Sequence, residues 1–444
     1  MKRHPIINGL EAHFLPIAAI ISLMLFAFFS SPAVAQEAAE ASRLSPGDTS
    51  WMLTSSALVL MMSIPGLFLF YGGLVRSKNA LGTMMHTFVI VAVITIQWVV
   101  LGYTLSFGPD IGSIIGGLSW LGLNGVGGAP NADLAATIPH SAFMVFQMTF
   151  AIITVALITG SFAERAKFST FLIFTVLWST LIYDPIAHWV WGGGWMSTLG
   201  ALDFAGGNVV HISSGAAALA AAIMYGKRKG YGETAMAPHN LPFTLIGASL
   251  LWVGWFGFNA GSALAANGLA ATAFVNTQIA AAAAVLGWIF TEWIVRGKPT
   301  VLGAATGAVA GLVSITPAAG FVGPMSSIII GLGGGVLCYF ALSLKSKFGF
   351  DDALDVVGVH GIGGTWGGIA TGLLASVGGT GLFFGNPRQL WIQIIAVLAT
   401  WVFSFAGTLI ILSVLNAVMK LRVGSDEEQM GLDLSQHNEK SYSF

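Results

Sequence analysis

The sequence predicts an all-α integral membrane protein: eleven transmembrane helices, ten in an inverted five-plus-five repeat and one added at the end. Three observations carry that expectation. Only 8 % of the 444 residues are charged and 55 % are hydrophobic, whereas an ordinary soluble domain is about a quarter charged. Apolar runs long enough to cross a hydrocarbon core of about 30 Å recur along the chain. Two similar stretches, LDFAGGNVVHISSG at 202–215 and DALDVVGVHGIGG at 352–364, each set a carboxylate a few residues before a histidine and continue into apolar, glycine-rich sequence. A net charge of −1 gives no reason to expect a nucleic-acid partner, and the single cysteine, Cys338, excludes a disulfide framework or a cysteine metal cluster.

At the N-terminus, Lys2 and Arg3 precede an apolar run around Ile17 to Phe29 and then Ala33-Val34-Ala35. Residues 1–35 read as a signal peptide cleaved after Ala35, followed by a periplasmic segment, 36–50. An uncleaved extra helix is the competing reading, since Glu11 and His13 interrupt the basic region. Hydropathy places helices near 51–73, 82–106, 138–161, 169–190, 207–226, 242–263, 272–295, 300–316, 324–345, 356–375 and 390–419. Arg76 and Lys78, Arg165 and Lys167, Lys227 to Lys229, Arg296 and Lys298, Lys345 and Lys347, and Lys420 and Arg422 all follow odd-numbered helices. The opposite face contributes only Arg388. The positive-inside rule then puts the mature N-terminus outside and the tail, 421–444, in the cytoplasm of a cell whose inner (plasma) membrane holds the domain 51–420.

The longest internal polar loop, 227–240, separates five helices from the next five. Five crossings invert direction, so similar segments in the two halves mark an inverted repeat with its site near the midplane. The two histidine stretches sit on helices five and ten, as such a repeat requires. His211 lies eight residues after Asp203, about 12 Å deeper, and His360 five residues beyond Asp355, about 7.5 Å, approaching from the other face. An ionisable group inside a membrane is costly unless it meets a partner or a cavity, and so points to function. Two neutral imidazoles can also simply bond to each other and tie two helices together. A zinc site is disfavoured, because no carboxylate shares a turn with either histidine. Asp203 stands where an N-cap is common, and capping and an exit-side role are equally open for Asp355.

Several long segments, in order, carry a family resemblance: IPGLFLFYGGLVRSKN (64–79), GSFAERAKFS (160–169), PIAHWVWGGGWMSTLGALDFAGGNVVHISSG (185–215), WVGWFGFNAGSA (252–263), GWIFTEWIVRGKPTVLGAATGAVAGLVSITPAAG (287–320) and DVVGVHGIGG (355–364). They resemble the ammonium transporters of the Amt/Mep/Rh family, bacterial Amt branch, from Trp51 to the tail. The resemblance implies a homotrimer with one pore per subunit and ammonium or methylammonium as substrate, without a cofactor. It places an outer recruitment site on Phe150, Trp191 and Ser262 with Phe146 alongside, and a stacked phenyl gate on Phe150 and Phe258. Asp203 takes the place of an essential aspartate, His211 and His360 that of paired pore histidines, and Trp255 and Thr316 stand near the pore. Without the family, any one of these aromatics reads more simply as an interfacial anchor. With it, the rings hold a small cation, each contact contributing about 0.5–2 kcal/mol, and Ser262 accepts an N–H that potassium does not have.

An apolar pore disfavours a bare cation. The expected mechanism is loss of a proton near the outer site and passage of neutral ammonia, with or without a proton carried separately by the histidines. An alternative is an ammonium sensor that signals through its tail. The resemblance implies a PII signalling protein docking there, although HNEKSY replaces the family's usual histidine-glycine-glutamate stretch. Polar tails are otherwise often only solvated. A membrane enzyme is the third reading, and the sequence offers it no nucleophile-base-acid set. The small residues of GIGGTWGGIATG, 361–372, read as close helix packing.

Overall fold

The computed structural model describes residues 44–442. The expected signal peptide and most of the 36–50 segment lie outside the described residues. The described chain is helical apart from its connections and one short hairpin, β1 (Asp110–Ile111) with β2 (Ile115–Gly116). Among the described residues, nine helices are long and apolar enough to cross a membrane. They are α1 (Pro46–Leu74), α2 (Ser77–Phe107), α3 (His140–Phe162), α4 (Phe168–Leu199), α5 (Gly207–Tyr225), α6 (Leu241–Gly261), α7 (Gly268–Arg296), α9 (Pro324–Phe348) and α11 (Pro387–Met419). The two other expected crossings are helical but shorter: α8 (Val301–Ile315) and α10 (357–374).

Helix α1 begins at Pro46 rather than near 51. The Ser45 hydroxyl accepts from the Asp48 N–H at 3.2 Å and Pro46 occupies the first turn, a start signal that hydropathy alone passes over. Pro65 inside α1 lacks an N–H, and the helix widens into a π turn over Met62–Leu67. Four further π turns interrupt α2, α4, α5 and α10. Those in α5 (Gly207–Ile212) and α10 (Val357–Ile362) carry His211 and His360.

Helices α3 and α5 are the most enclosed, while α11 turns Leu398, Val402, Ile410, Val414 and Val418 outward. In water such a face would be exposed apolar surface, and in a bilayer it is solvated by acyl chains. Helices α5 and α10 cross at Gly215 and Gly361, where a Cβ on Gly215 would overlap the Gly361 Cα and N.

The tail folds into two short helices, α12 (Ser425–Met430) and α13 (Leu432–His437), laid across the loops at one end of the bundle. Arg422 pairs with Glu428 at 2.7 Å, and Glu428 accepts from the Lys229 N–H at 2.7 Å. Asn79 accepts from the Leu432 N–H at 2.8 Å and Asp433 from the Gly82 N–H at 2.7 Å. A tail that looks merely polar in sequence is therefore packed and hydrogen-bonded.

Candidate functional site

The two histidines meet. His211 on α5 and His360 on α10 are 1 % and 4 % exposed, and their Nδ1 atoms lie 3.2 Å apart. The surrounding hydrogen bonds assign their protons. The Thr316 hydroxyl donates to Leu312 O at 2.7 Å, so its oxygen is left to accept. It accepts the Trp255 indole N–H at 2.9 Å and faces His211 Nε2 at 3.3 Å. His211 therefore carries its hydrogen on Nε2, its bare Nδ1 accepts from His360 Nδ1–H, and His360 Nε2 is left with a lone pair. The structure brings Trp255 and Thr316, which the resemblance placed near the pore, against His211, where they hold one imidazole.

On one side of the pair, Phe258 packs over His211 with ring centroids 6.1 Å apart, and Phe150 stacks on Phe258 at 4.2 Å. Beyond Phe150 opens a recess of about 250 Å³ lined by Phe150, Trp191, Ser262, Phe143, Gln147 and Phe204 among others, with the exposed Asp133 at its rim. Trp191 meets Phe150 edge-on at 5.6 Å, and its N–H is held by Asp203 O at 3.0 Å, which leaves the indole face free. The Ser262 hydroxyl donates to Phe258 O at 2.9 Å, so its oxygen is free to accept. Phe146 is fully buried and packs edge-on against Phe150 at 4.9 Å; it is not among the lining residues and supports the ring that is.

Alongside both histidines, and bounded by Phe258, lies a void of about 10 Å³, walled also by Trp255, Tyr71, Val210, Leu157 and other mostly apolar side chains. That is room for about one water-sized molecule. His360 and Tyr71 line both this void and an inner cavity of about 580 Å³ that reaches Lys345 and Asp355.

Asp203 does not face the recess. Its two carboxylate oxygens accept from the N–H groups of Gly206, Gly207, Asn208 and Val209, at 2.8, 2.5, 2.7 and 3.4 Å. Donors that a helix start leaves unpaired are thereby satisfied by one side chain. The counterpart on α10 is Asp352 rather than Asp355. Asp352 Oδ2 accepts from the Val357 N–H at 2.8 Å, five residues on, just as Asp203 serves Asn208. Asp355 instead pairs with Lys345 on α9, at a positive φ of 64°, and lines the inner cavity. The signal for Asp352 was in the sequence: it precedes His360 by eight residues, the interval that separates Asp203 from His211.

Burial pushes the Asp352 carboxyl up to about 6, against the pull of Lys345. The folded chain holds that proton more tightly than the unfolded one. Stability is therefore present below about pH 4 and lost as pH rises to about 6, by roughly 3 kcal/mol from this group. Thermal unfolding of detergent-purified protein between those limits is expected to show a flatter pH dependence in Asp352→Asn than in the parent. Equal slopes would rule the assignment out.

Fold and site together define a helical membrane protein with a narrow, imidazole-lined void of a size for a very small solute. The chain belongs to the Ammonium Transporter Family, which it matches over residues 50–442. It is 58 % identical over 402 residues to the ammonium transporter of Bacillus subtilis (strain 168), covering 89 % of this chain and 98 % of that one. It is 50 % identical over 403 residues to ammonium transporter Amt1 of Archaeoglobus fulgidus, covering 90 % of this chain and all of that one. Among solved structures, Mep2 of Candida albicans is similar with a TM-score of 0.82 at 37 % identity, over 87 % of this chain and 88 % of the other. A sensor Amt protein gives 0.82 at 29 % identity, over 88 % and 98 %. The family read from the motifs is the right one, and with it ammonium transport across a membrane.

Proposed function

We propose that ammonium enters at the recess on Phe150, Trp191 and Ser262 and gives up its proton there, and that ammonia passes Phe150 and Phe258 and follows His211 and His360 to the inner cavity. The imidazole pair carries the proton separately, so transport is electrogenic. The observation that supports this reading is a succession of three cavities, the first set apart from the second by the packed rings of Phe150 and Phe258 and the last two sharing His360 as a wall. A passage as narrow and apolar as the middle one excludes a hydrated cation, while the Nδ1 to Nδ1 contact of 3.2 Å offers a proton a hydrogen-bonded route.

On this reading all eleven helices cross the plasma membrane, α1–α5 and α6–α10 are the two inverted halves, the recess faces outward and the tail lies in the cytoplasm. The shared aspartate-to-histidine interval and the matched π turns of α5 and α10 support the repeat. Methylammonium shares the route, and three copies assemble with one pathway each. The folded tail, which bonds to the start of α2 and to the loop after α5, offers a PII-type protein a handle on the pathway. The likeness to a sensor Amt protein gives an added sensing role some support.

The test is paired measurement of current and ammonia flux on protein reconstituted in liposomes. Both are expected in the parent, and both are expected to vanish in the His211→Leu, His360→Leu double variant. Flux without current would remove the proton-carrying role, and flux in the double variant would remove the histidines from the mechanism.

A further inference from the structure

We infer that Gln147 is a further substrate contact in the outer recess, a hydrogen-bond acceptor for the ammonium ion. The inference rests on the recess being the point of entry, as proposed above. Gln147 lies on α3 one turn before Phe150, so the two side chains leave the same face of the helix. It lines the recess, is only 7 % exposed, and its carbonyl oxygen is buried without a hydrogen-bond partner. Its amide nitrogen makes no hydrogen bond within the described protein and, unlike the oxygen, keeps some exposure. Native chains leave few buried polar groups unpaired, since each costs about 1–3 kcal/mol. A carbonyl oxygen buried without a partner, on an amide whose other end is open in a cavity built of aromatic faces, points to something that enters the cavity and turns the amide over.

The other polar side chains of the wall narrow down what that is. The Trp191 N–H is engaged by Asp203 O and the Ser262 hydrogen by Phe258 O. Both residues then present only electron density to the recess, a ring face and an oxygen lone pair. The half-buried polar side chains of the wall with a settled orientation, Trp191 and Ser262, are therefore a π face and an acceptor. Gln147 is the one group whose orientation no protein bond fixes, and the two ends of its amide are close to isosteric. A cation that donates hydrogen bonds selects the orientation that turns the carbonyl inward, whereas an anion or a hydrogen-bond acceptor would meet repulsion from the rest of the wall. Ammonium, with four N–H groups and a single charge, has donors for both Ser262 and Gln147 while its charge lies over the rings. Asp133 at the rim adds attraction at longer range.

The experiment measures half-saturation of ammonium-dependent current from the recess side in liposomes, for Gln147→Leu and Gln147→Glu. Leucine keeps the bulk and removes the acceptor, so half-saturation is expected to rise about tenfold, the size of one hydrogen bond to a charged donor. Glutamate keeps the shape and strengthens the acceptor, so half-saturation is expected to fall below that of the parent. A purely structural role would move both variants the same way. Shifts in one direction, or half-saturation within twofold of the parent in both, would overturn the proposal. If the leucine variant fails to fold, the direction of the glutamate shift decides alone. Trp191→Leu serves as the separate check on the entry site: no effect there would remove the recess from the pathway, whereas an effect there with none at Gln147 would remove only this residue.

Discussion

Asp203→Ala is expected to abolish transport and to destabilise the protein by at least about 4 kcal/mol, because buried N–H groups stripped of their acceptors cost roughly 1–3 kcal/mol each. The carboxylate accepts four successive N–H groups at the start of α5, and no other part of the described protein replaces it. Those N–H groups open the π turn that carries His211, so the loss reaches the imidazole pair through the helix backbone. The Asp203 carbonyl also holds the Trp191 ring, so disorder at this corner loosens the recess as well. Asp203→Asn is expected to be nearly as damaging. Its amide keeps one accepting oxygen and turns an NH2 toward backbone donors that then lack an acceptor. Thermal unfolding in detergent and ammonia flux in liposomes measure the two losses. Near-parental flux with Asp203→Ala would show that neither the cap nor its charge is required for transport.

Gly215→Ala is expected to cut flux at least tenfold while costing roughly 1–3 kcal/mol of stability, the usual penalty for overpacking. The added methyl would overlap the Gly361 backbone, and backbone cannot turn aside as a side chain can. Helices α5 and α10 would have to separate, and the 3.2 Å contact between His211 and His360 lies within the same crossing. The comparison variant is Gly268→Ala at the start of α7, where nothing lies within 4 Å of the new atom. It is expected to behave like the parent or to be slightly more stable, since alanine limits the unfolded chain more than glycine does. Flux measured alongside unfolding temperature separates the two substitutions. Equal behaviour of both would mean that the crossing is not as tight as the glycines indicate.

The all-helical membrane fold was legible because it rests on hydropathy, a property of local sequence that the bilayer enforces. The family resemblance singled out candidate site residues, and the structure brings His211, His360, Trp255, Thr316 and Phe258 into one cluster with Phe150, Trp191 and Ser262 beyond it. What escaped the sequence depends on contacts between distant segments. For Asp355 capping and an exit-side role were equally open, but its side chain is drawn away by Lys345 on α9, and Asp352 serves the helix start. Phe146 and Phe150 lie four residues apart on one helix, yet only packing decides that one ring lines the recess and the other stands behind it. The order in the tail depends on Asn79, Gly82 and Lys229, residues far removed in sequence.

The hydrogen accounting at Thr316 gives the imidazole pair a direction. With His211 Nε2 already carrying a hydrogen toward Thr316, the pair has no vacancy for a proton arriving from the recess; its one open nitrogen is on His360, at the inner cavity. On the proposed proton route, the arrangement assigned in this way is the state reached after an inward hop. Before another proton could follow, the hydrogens on both rings would have to move back to the opposite tautomers. The pair would then act as a two-state register that passes one proton and has to be reset, with Thr316 biasing it toward the spent state. Proton flow along that route would be counted rather than continuous, limited by the resetting of two buried imidazoles.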